Sequence, residues 1–86
     1  MRVDYSKTFL KQYSRLSSKL QTQTDQRIKL WQINPNDPKL YDHPLKGKYK
    51  GYRSINITGD IRALYCKDGN TIIIFGFIGT HSQLYG

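Results

Sequence analysis

The strongest constraint on the fold is an apolar run late in the chain, TIIIFGFI, from Thr71 to Ile78. The run is rich in β-branched and aromatic residues, and Asp68-Gly69-Asn70 before it is a turn signal. A strand with one face in water would alternate apolar and polar side chains, and this run does not. The sequence therefore predicts a strand that is buried on both faces.

The residues after the run change character at once. A glycine, two hydroxyls, an imidazole, an amide and a phenol follow, from Gly79 to Tyr85. A rigid strand would deliver His81 and Tyr85 to the rim of the sheet. The segment is either a polar tail after an interior strand or one part of a functional site.

The first half of the chain has helical periodicity. Ser6 can cap a helix, Ser17-Ser18 marks a bend, and a second helix is expected over about residues 19–33. Pro35 ends it, because a residue before proline is disfavoured in the α region. The apolar stripe expected on these helices is Phe9, Tyr13, Leu16, Leu20, Thr24, Ile28 and Trp31, with Leu30 and Ile33 at the flanks.

The second half contains short strand-like segments separated by turns, over residues 42–45, 52–57 and 61–67, and a further short strand is expected at residues 2–5. Short turns between consecutive strands favour an antiparallel meander. The prediction is an α+β fold, in which a small antiparallel β-sheet packs against an N-terminal two-helix hairpin, with residues 1–86 as a single domain.

Composition limits the functional classes. Because Cys66 is the single cysteine, an internal disulfide is excluded. Cys66 and Trp31 are both expected in the core. There is no apolar run of about 18 residues, so a cytoplasmic protein without membrane contact is expected. Fourteen Lys and Arg against six Asp and no Glu give a net charge of +8, which is typical of a chain that meets a polyanion. Solubility alone would also account for such a charge.

The positive charge is concentrated between Lys46 and Arg53, where no acid occurs and two tyrosines are interleaved. Cations bind phosphates and phenol rings stack on bases, although lysines also protect edge strands from aggregation. Arg62 lies in a strand-like segment and can clamp a phosphate. The candidate RNA-binding residues are Lys46, Lys48, Lys50, Arg53 and Tyr49.

The chain has two histidines, His43 and His81, each near the end of a strand-like segment. Because the ordinary pKa of histidine is about 6.5, a pair can serve as base and acid at neutral pH. RNA cleavage needs a base for the 2′-hydroxyl, an acid for the departing 5′ oxygen and cations for the transition state. Asp60 can orient one imidazole. On spacing alone, two surface histidines are more often simply polar residues than a catalytic pair.

Three segments together form a signature. They are His43-Pro44-Leu45-Lys46-Gly47, Tyr49-Lys50-Gly51-Tyr52-Arg53, and the terminal Gly79-Thr80-His81-Ser82-Gln83-Leu84-Tyr85. With the helical hairpin before them and Gly59-Asp60-Ile61-Arg62-Ala63-Leu64-Tyr65 between them, the chain resembles the RelE/ParE superfamily of bacterial type II toxins, and most closely its YafQ-like branch. The resemblance spans essentially the whole chain.

The resemblance implies a RelE-like fold and a ribosome-dependent mRNA endonuclease that needs no metal or other cofactor. The implied partners are a cognate antitoxin protein, the ribosome and mRNA. His81 would be the general acid or base, assisted by His43 and Asp60, while Arg62 would hold the scissile phosphate. Tyr85, in the place of a C-terminal aromatic residue, would stack on a base.

Two positions depart from the YafQ-like pattern. Asn56 stands where the pattern has a catalytic histidine, and Phe77 stands where it has an arginine. Either Arg62, Lys48 and Lys50 compensate, or the enzyme is slow or inactive. Two alternatives therefore stay open: a ParE-like inhibitor of gyrase without nuclease activity, and a catalytically degenerate relative that retains antitoxin or RNA binding.

Overall fold

A computed structural model describes residues 2–85, which form a five-stranded sheet with two helices on one face. The strand order is β1-β5-β4-β3-β2. The elements in chain order are β1 (Arg2–Tyr5), α1 (Lys7–Ser14), α2 (Ser18–Ile33), β2 (His43–Pro44), a 3₁₀ helix (Gly47–Tyr49), β3 (Arg53–Asn56), β4 (Ile61–Asp68), β5 (Ile72–Thr80) and α3 (His81–Tyr85).

The two N-terminal helices begin where the sequence predicts, because a serine caps each of them. The Ser6 hydroxyl accepts a hydrogen bond from the Phe9 amide at 2.9 Å, and Ser17 accepts one from the Leu20 amide at 3.2 Å. In the predicted stripe of α2, Thr24, Ile28 and Trp31 are buried and Leu20 is half-buried, whereas Ile33, expected at its flank, is 74% exposed. Ile33 lies two residues past Trp31, roughly 200° further round the helix.

The sheet confirms the predicted α+β fold, with one difference. Strands β2 to β5 form the expected antiparallel meander, whereas β1 joins β5 in parallel. The predicted burial of β5 is complete on the helix side, where Ile73, Phe75 and Ile78 pack, and partial on the other side, where Phe77 is half-buried. A bulge makes this possible: Leu64 is opposite Phe77 and Tyr65 opposite Phe75, which leaves Gly76 as the extra residue.

A second, smaller hydrophobic cluster covers the face opposite the helices. Its buried members are Tyr49, Leu64 and Leu84, and Leu45, Tyr52 and Phe77 pack against them. The 3₁₀ helix supplies Tyr49 and α3 supplies Leu84. This cluster explains why β5 needs apolar side chains on both faces.

Helix α3 differs from the expectation for residues 79–85, whose side chains indicate a polar tail or one part of a functional site. Its start is a capping box: the Gln83 amide donates to the Thr80 hydroxyl at 3.0 Å, and the Thr80 amide donates to the Gln83 side chain at 2.9 Å. The Thr-x-x-Gln spacing is the sequence signal for this helix. Among residues 2–85, no helix is long and apolar enough to cross a bilayer.

Candidate active site

Cross-strand pairing places three of the predicted site residues on one face of the sheet. His43 is opposite Ser54, and Asn56 is opposite Arg62. Residues directly opposite each other share a face, and residues two apart along a strand do so as well. His43, Asn56 and Arg62 therefore lie on the face that carries the second cluster, opposite α1 and α2.

Helix α3 adds His81 and Tyr85 at the end of this face. The two side chains are one helical turn apart, and their ring centroids lie 4.7 Å from each other. Tyr85 also meets the edge of the Tyr49 ring at 5.4 Å, so a buried residue holds it in place. His81 is exposed. The histidine is thus open to solvent beside a partly covered phenol.

The phenol of Tyr85 lies within the electrostatic reach of Arg62. Burial raises the pKa of Tyr85, the neighbouring Tyr49 raises it further, and the positive charge of Arg62 lowers it. The strand pairing gives the same placement, because Arg62 is opposite Gly79, two residues before His81. The structure therefore brings Arg62 to the end of the sheet where His81 and Tyr85 lie.

A turn at the same end of the sheet holds the Arg62 side chain. Its Nη1 donates to the carbonyls of Thr58 at 3.1 Å and Gly59 at 2.9 Å. Asp60 is exposed on this turn, and the next residue, Ile61, is paired with Thr80 at the end of β5. Asp60 and Arg62 are therefore at the end of the sheet where α3 begins.

His43 lies further along the face, on the short edge strand β2. Its Nδ1 is 2.8 Å from the carbonyl oxygen of Tyr41, and the two rings are 4.7 Å apart. One row of cross-strand pairs separates it from Asn56 and Arg62. The site is thus an elongated surface, with one histidine at the sheet edge and the other at the start of α3.

Tyr49 is a correction to the predicted RNA-binding set. The residue is only 7% exposed, and its hydroxyl donates to the Leu84 carbonyl at 2.8 Å. Its ring forms part of the second cluster and is not open to a base, because the 3₁₀ helix turns it inward. The neighbouring Lys46, Lys48 and Lys50 are exposed as expected.

Arg53 is held by an ion pair that the sequence did not reveal. Its Nε donates to Asp42 Oδ1 at 2.8 Å, and Asp42 Oδ2 accepts from Trp31 Nε1 at 3.1 Å and from the Tyr65 hydroxyl at 2.6 Å. Helix α2 and strands β3 and β4 thus meet at one carboxylate. Sequence reasoning missed Asp42 because its partners are scattered along the chain.

The two departures from the YafQ-like pattern have different surroundings. The Phe77 ring packs between Tyr49 at 5.3 Å and Tyr52 at 5.6 Å, as part of the second cluster. The Asn56 side-chain oxygen is buried and has no hydrogen-bond partner among residues 2–85. Phe77 therefore has a structural role, while Asn56 brings a polar group to the site face.

Two further features bear on chemistry. Cys66 is half-buried rather than in the core, so its predicted burial was only partly right, and its thiol is free. Residues 2–85 contain no cluster of three or more His, Cys, Asp or Glu side chains suited to a metal ion.

Comparison with solved structures defines the class of fold. The crystal structure of YafQ from Escherichia coli strain BL21(DE3) has a TM-score of 0.83 and is 25% identical, with both chains covered completely. The RelB-RelE antitoxin-toxin complex from Methanococcus jannaschii has a TM-score of 0.73 at 26% identity, covering 95% of this chain and 94% of the other. The fold is therefore that of the RelE-like toxins.

Comparison of sequences gives the family. The family described as "Bacterial toxin of type II toxin-antitoxin system, YafQ" matches residues 1–86. The mRNA interferase toxin YafQ of Escherichia coli (strain K12) is 40% identical over 50 residues, which cover 57% of this chain and 53% of that protein. The match thus spans about half the length of this curated relative. The chain belongs to the YafQ family of type II toxin-antitoxin toxins.

Proposed function

We propose that this chain, acting as a single cytoplasmic toxin domain, is a ribosome-dependent mRNA endonuclease. The observation that carries the proposal is the grouping of His81, Tyr85 and Arg62 at one end of the sheet, with Asp60 on the adjoining turn. These side chains supply an acid or base, an aromatic surface and a phosphate-binding cation. The related YafQ toxin of Escherichia coli, described as an mRNA interferase, supports the same chemistry.

The proposed reaction is attack of a ribose 2′-hydroxyl on the adjacent phosphate. One imidazole takes the hydroxyl proton as the new P–O bond forms, and the other donates a proton to the 5′ oxygen as the old bond breaks. The products are a 2′,3′-cyclic phosphate and a 5′-hydroxyl. The nucleophile belongs to the substrate, so this route requires neither a metal nor another cofactor.

The remaining residues have supporting roles in this scheme. Arg62 stabilises the negative charge on the phosphate oxygens, because a guanidinium can donate two parallel hydrogen bonds. Tyr85 offers a partly exposed ring on which a base can stack. Asp60, on the turn that holds Arg62, assists the histidines. Exposed Lys46, Lys48 and Lys50 contact the RNA backbone, with Arg53 beside them.

An antitoxin is the other proposed partner. The related RelE toxin is seen bound to its antitoxin RelB, and a toxin with a net charge of +8 suits an acidic partner. The charge also makes ribosome binding sensitive to salt. Each phosphate contact releases a counterion, so affinity should fall by powers of ten as salt rises several-fold.

A second candidate follows from the two substituted positions. Phe77 packs in the second cluster, and the Asn56 amide cannot transfer a proton. The alternative is therefore a catalytically degenerate toxin that still binds antitoxin or RNA.

The test is induction of the chain in bacteria, beside His81→Ala and the control Ser82→Ala, followed by primer extension on a translated message. His81 and Ser82 are adjacent and both exposed, so neither change should disturb the fold. In-frame cuts that disappear only in His81→Ala would support the nuclease. Growth arrest without cuts, together with inhibition of purified gyrase, would establish the ParE-like alternative instead. Absence of arrest would favour the degenerate toxin.

A further inference from the structure

Tyr41 adopts a backbone conformation that is unusual for its residue type. Its φ angle is 45°, and among residues 2–85 it is the one non-glycine residue with a positive φ. The left-handed region costs an ordinary L-residue about 1–2 kcal/mol, and Gly, Asn and Asp are the residues that tolerate it. Such strain persists only where surrounding contacts enforce it, and it clusters at functional sites.

The strained backbone aims a carbonyl at a candidate catalytic histidine. The Tyr41 carbonyl oxygen is 2.8 Å from His43 Nδ1. A carbonyl oxygen can only accept a hydrogen bond, so Nδ1 must carry the proton. In the neutral imidazole the other nitrogen, Nε2, then holds the lone pair that can accept a proton.

The segment around Tyr41 is fixed on both sides. Before it, the Leu40 carbonyl accepts from the Asn56 amide at 2.7 Å, and the Leu40 side chain is fully buried. After it, Asp42 receives the three hydrogen bonds from Trp31, Arg53 and Tyr65 described above. These anchors leave the intervening residue little freedom, which explains how the strain is maintained.

We propose that Tyr41 is a positioning residue, whose left-handed backbone fixes His43 as the Nδ1–H tautomer and so presents Nε2 as the base for the 2′-hydroxyl. The base role rests on the proposed nuclease function, but the tautomer does not. The proposal also gives the two histidines different roles. His43 takes the proton of the 2′-hydroxyl, and His81 at the other end of the site donates a proton to the 5′ oxygen.

The tautomer is measured directly by long-range ¹H–¹⁵N correlation of the imidazole nitrogens, at a pH where both histidines are neutral. The wild-type chain should show Nδ1–H for His43. Tyr41→Gly keeps the carbonyl and adopts a positive φ without strain, so it should keep that tautomer. Tyr41→Val disfavours a positive φ, so its His43 should shift towards Nε2–H. His81 serves as the internal reference in all three chains.

The outcomes separate the parts of the proposal. An Nε2–H tautomer of His43 in the wild-type chain would overturn the proposal, whether or not the Val variant folds. Equal tautomer ratios of His43 in the Gly and Val variants would also overturn it. In RNA cleavage on ribosomes, Tyr41→Val should lose activity by roughly 10- to 100-fold, within the contribution of a general base, while Tyr41→Gly stays within a few-fold of wild type. Equal cleavage by both variants despite different tautomers would remove His43 as the base. The expected tautomer in a chain that cuts no RNA would refute the nuclease function and support the tautomer assignment.

Discussion

The Tyr49 hydroxyl donates a hydrogen bond to the backbone carbonyl of Leu84 at 2.8 Å, although the two residues lie on separate short helices. This contact ties the 3₁₀ helix to α3, and therefore ties the lysine-rich segment to the helix that begins with His81. The geometry of the candidate site thus depends on a phenol that is itself buried.

Tyr49→Phe should lower the free energy of unfolding by about 1–3 kcal/mol, because the buried Leu84 carbonyl loses its partner. The amides of α3 should also exchange faster with solvent, since the contact holds that helix against the sheet. Urea denaturation and hydrogen exchange measure the two effects. Tyr41→Phe, which changes a 64% exposed tyrosine, is the control and should unfold like the wild-type chain. Unchanged exchange in α3 would show that Leu84 packing alone holds the helix.

Asp42→Asn should cost about 1–3 kcal/mol, because it places an amide among three donors at a side chain that is only 13% exposed, while Arg53, at 40% exposed, keeps contact with water. Asp4→Asn is a matched control. It breaks an ion pair with Arg2 in which the side chains are 70% and 41% exposed, so it should cost under about 1 kcal/mol. Urea denaturation of the two variants compares the sites. Equal losses would mean that the Asp42 network contributes no more than a surface pair.

Alkaline pH should destabilise the fold through Tyr65. Burial, followed by the hydrogen bond to Asp42, raises the pKa of Tyr65 from 10.0 to about 12. Between these values the unfolded chain loses the phenolic proton while the folded chain keeps it, so the free energy of unfolding falls as pH rises through this window. Denaturation at several pH values should show a shallower fall for Tyr65→Phe. A residual slope is expected, because the pKa values of Tyr5, Tyr13, Tyr52 and Tyr85 are also raised. Identical slopes would contradict the assignment.

Gly76→Ala should destabilise the fold by about 1–3 kcal/mol through overpacking, because a Cβ there would lie 3.0 Å from the Tyr52 ring. Gly59→Ala is the control, since nothing lies within 4 Å of its Cβ position. That change should alter stability by less than about 1 kcal/mol. Thermal denaturation compares the two variants. A tolerated Gly76→Ala would mean that the Tyr52 ring moves aside at little cost.

Periodicity was sufficient to predict most of the fold. The Ser6 cap, the bend at Ser17-Ser18, the stripe of α2 and the apolar β5 are local patterns, so the α+β arrangement follows from the sequence. The parallel pairing of β1 with β5 did not follow, because short turns reveal only which neighbouring strands pair. The helix α3 was missed because its capping box lies inside a segment that was interpreted as chemistry.

The sequence indicates candidate site residues where the side-chain chemistry stands out, as it does for the histidines, Arg62 and Asp60. The prediction that Tyr49 binds RNA was wrong, because its spacing among lysines does not reveal that the 3₁₀ helix turns its side chain inward. Asp42 and Tyr41 were invisible, because the role of each depends on a contact or a backbone angle that exists only in the folded chain.

The parallel pairing of β1 with β5 also has a consequence for synthesis. The first strand has no partner until residues 72–80 have been translated, and β5 lies between β1 and β4 in the finished sheet. Until then, α1 lacks the strand that its Phe9 ring contacts through Phe75 in the folded chain. Contacts between distant parts of a chain slow folding, and unfinished apolar surfaces invite aggregation. The nascent chain therefore passes through a period in which its candidate site, built on β5 and α3, does not yet exist.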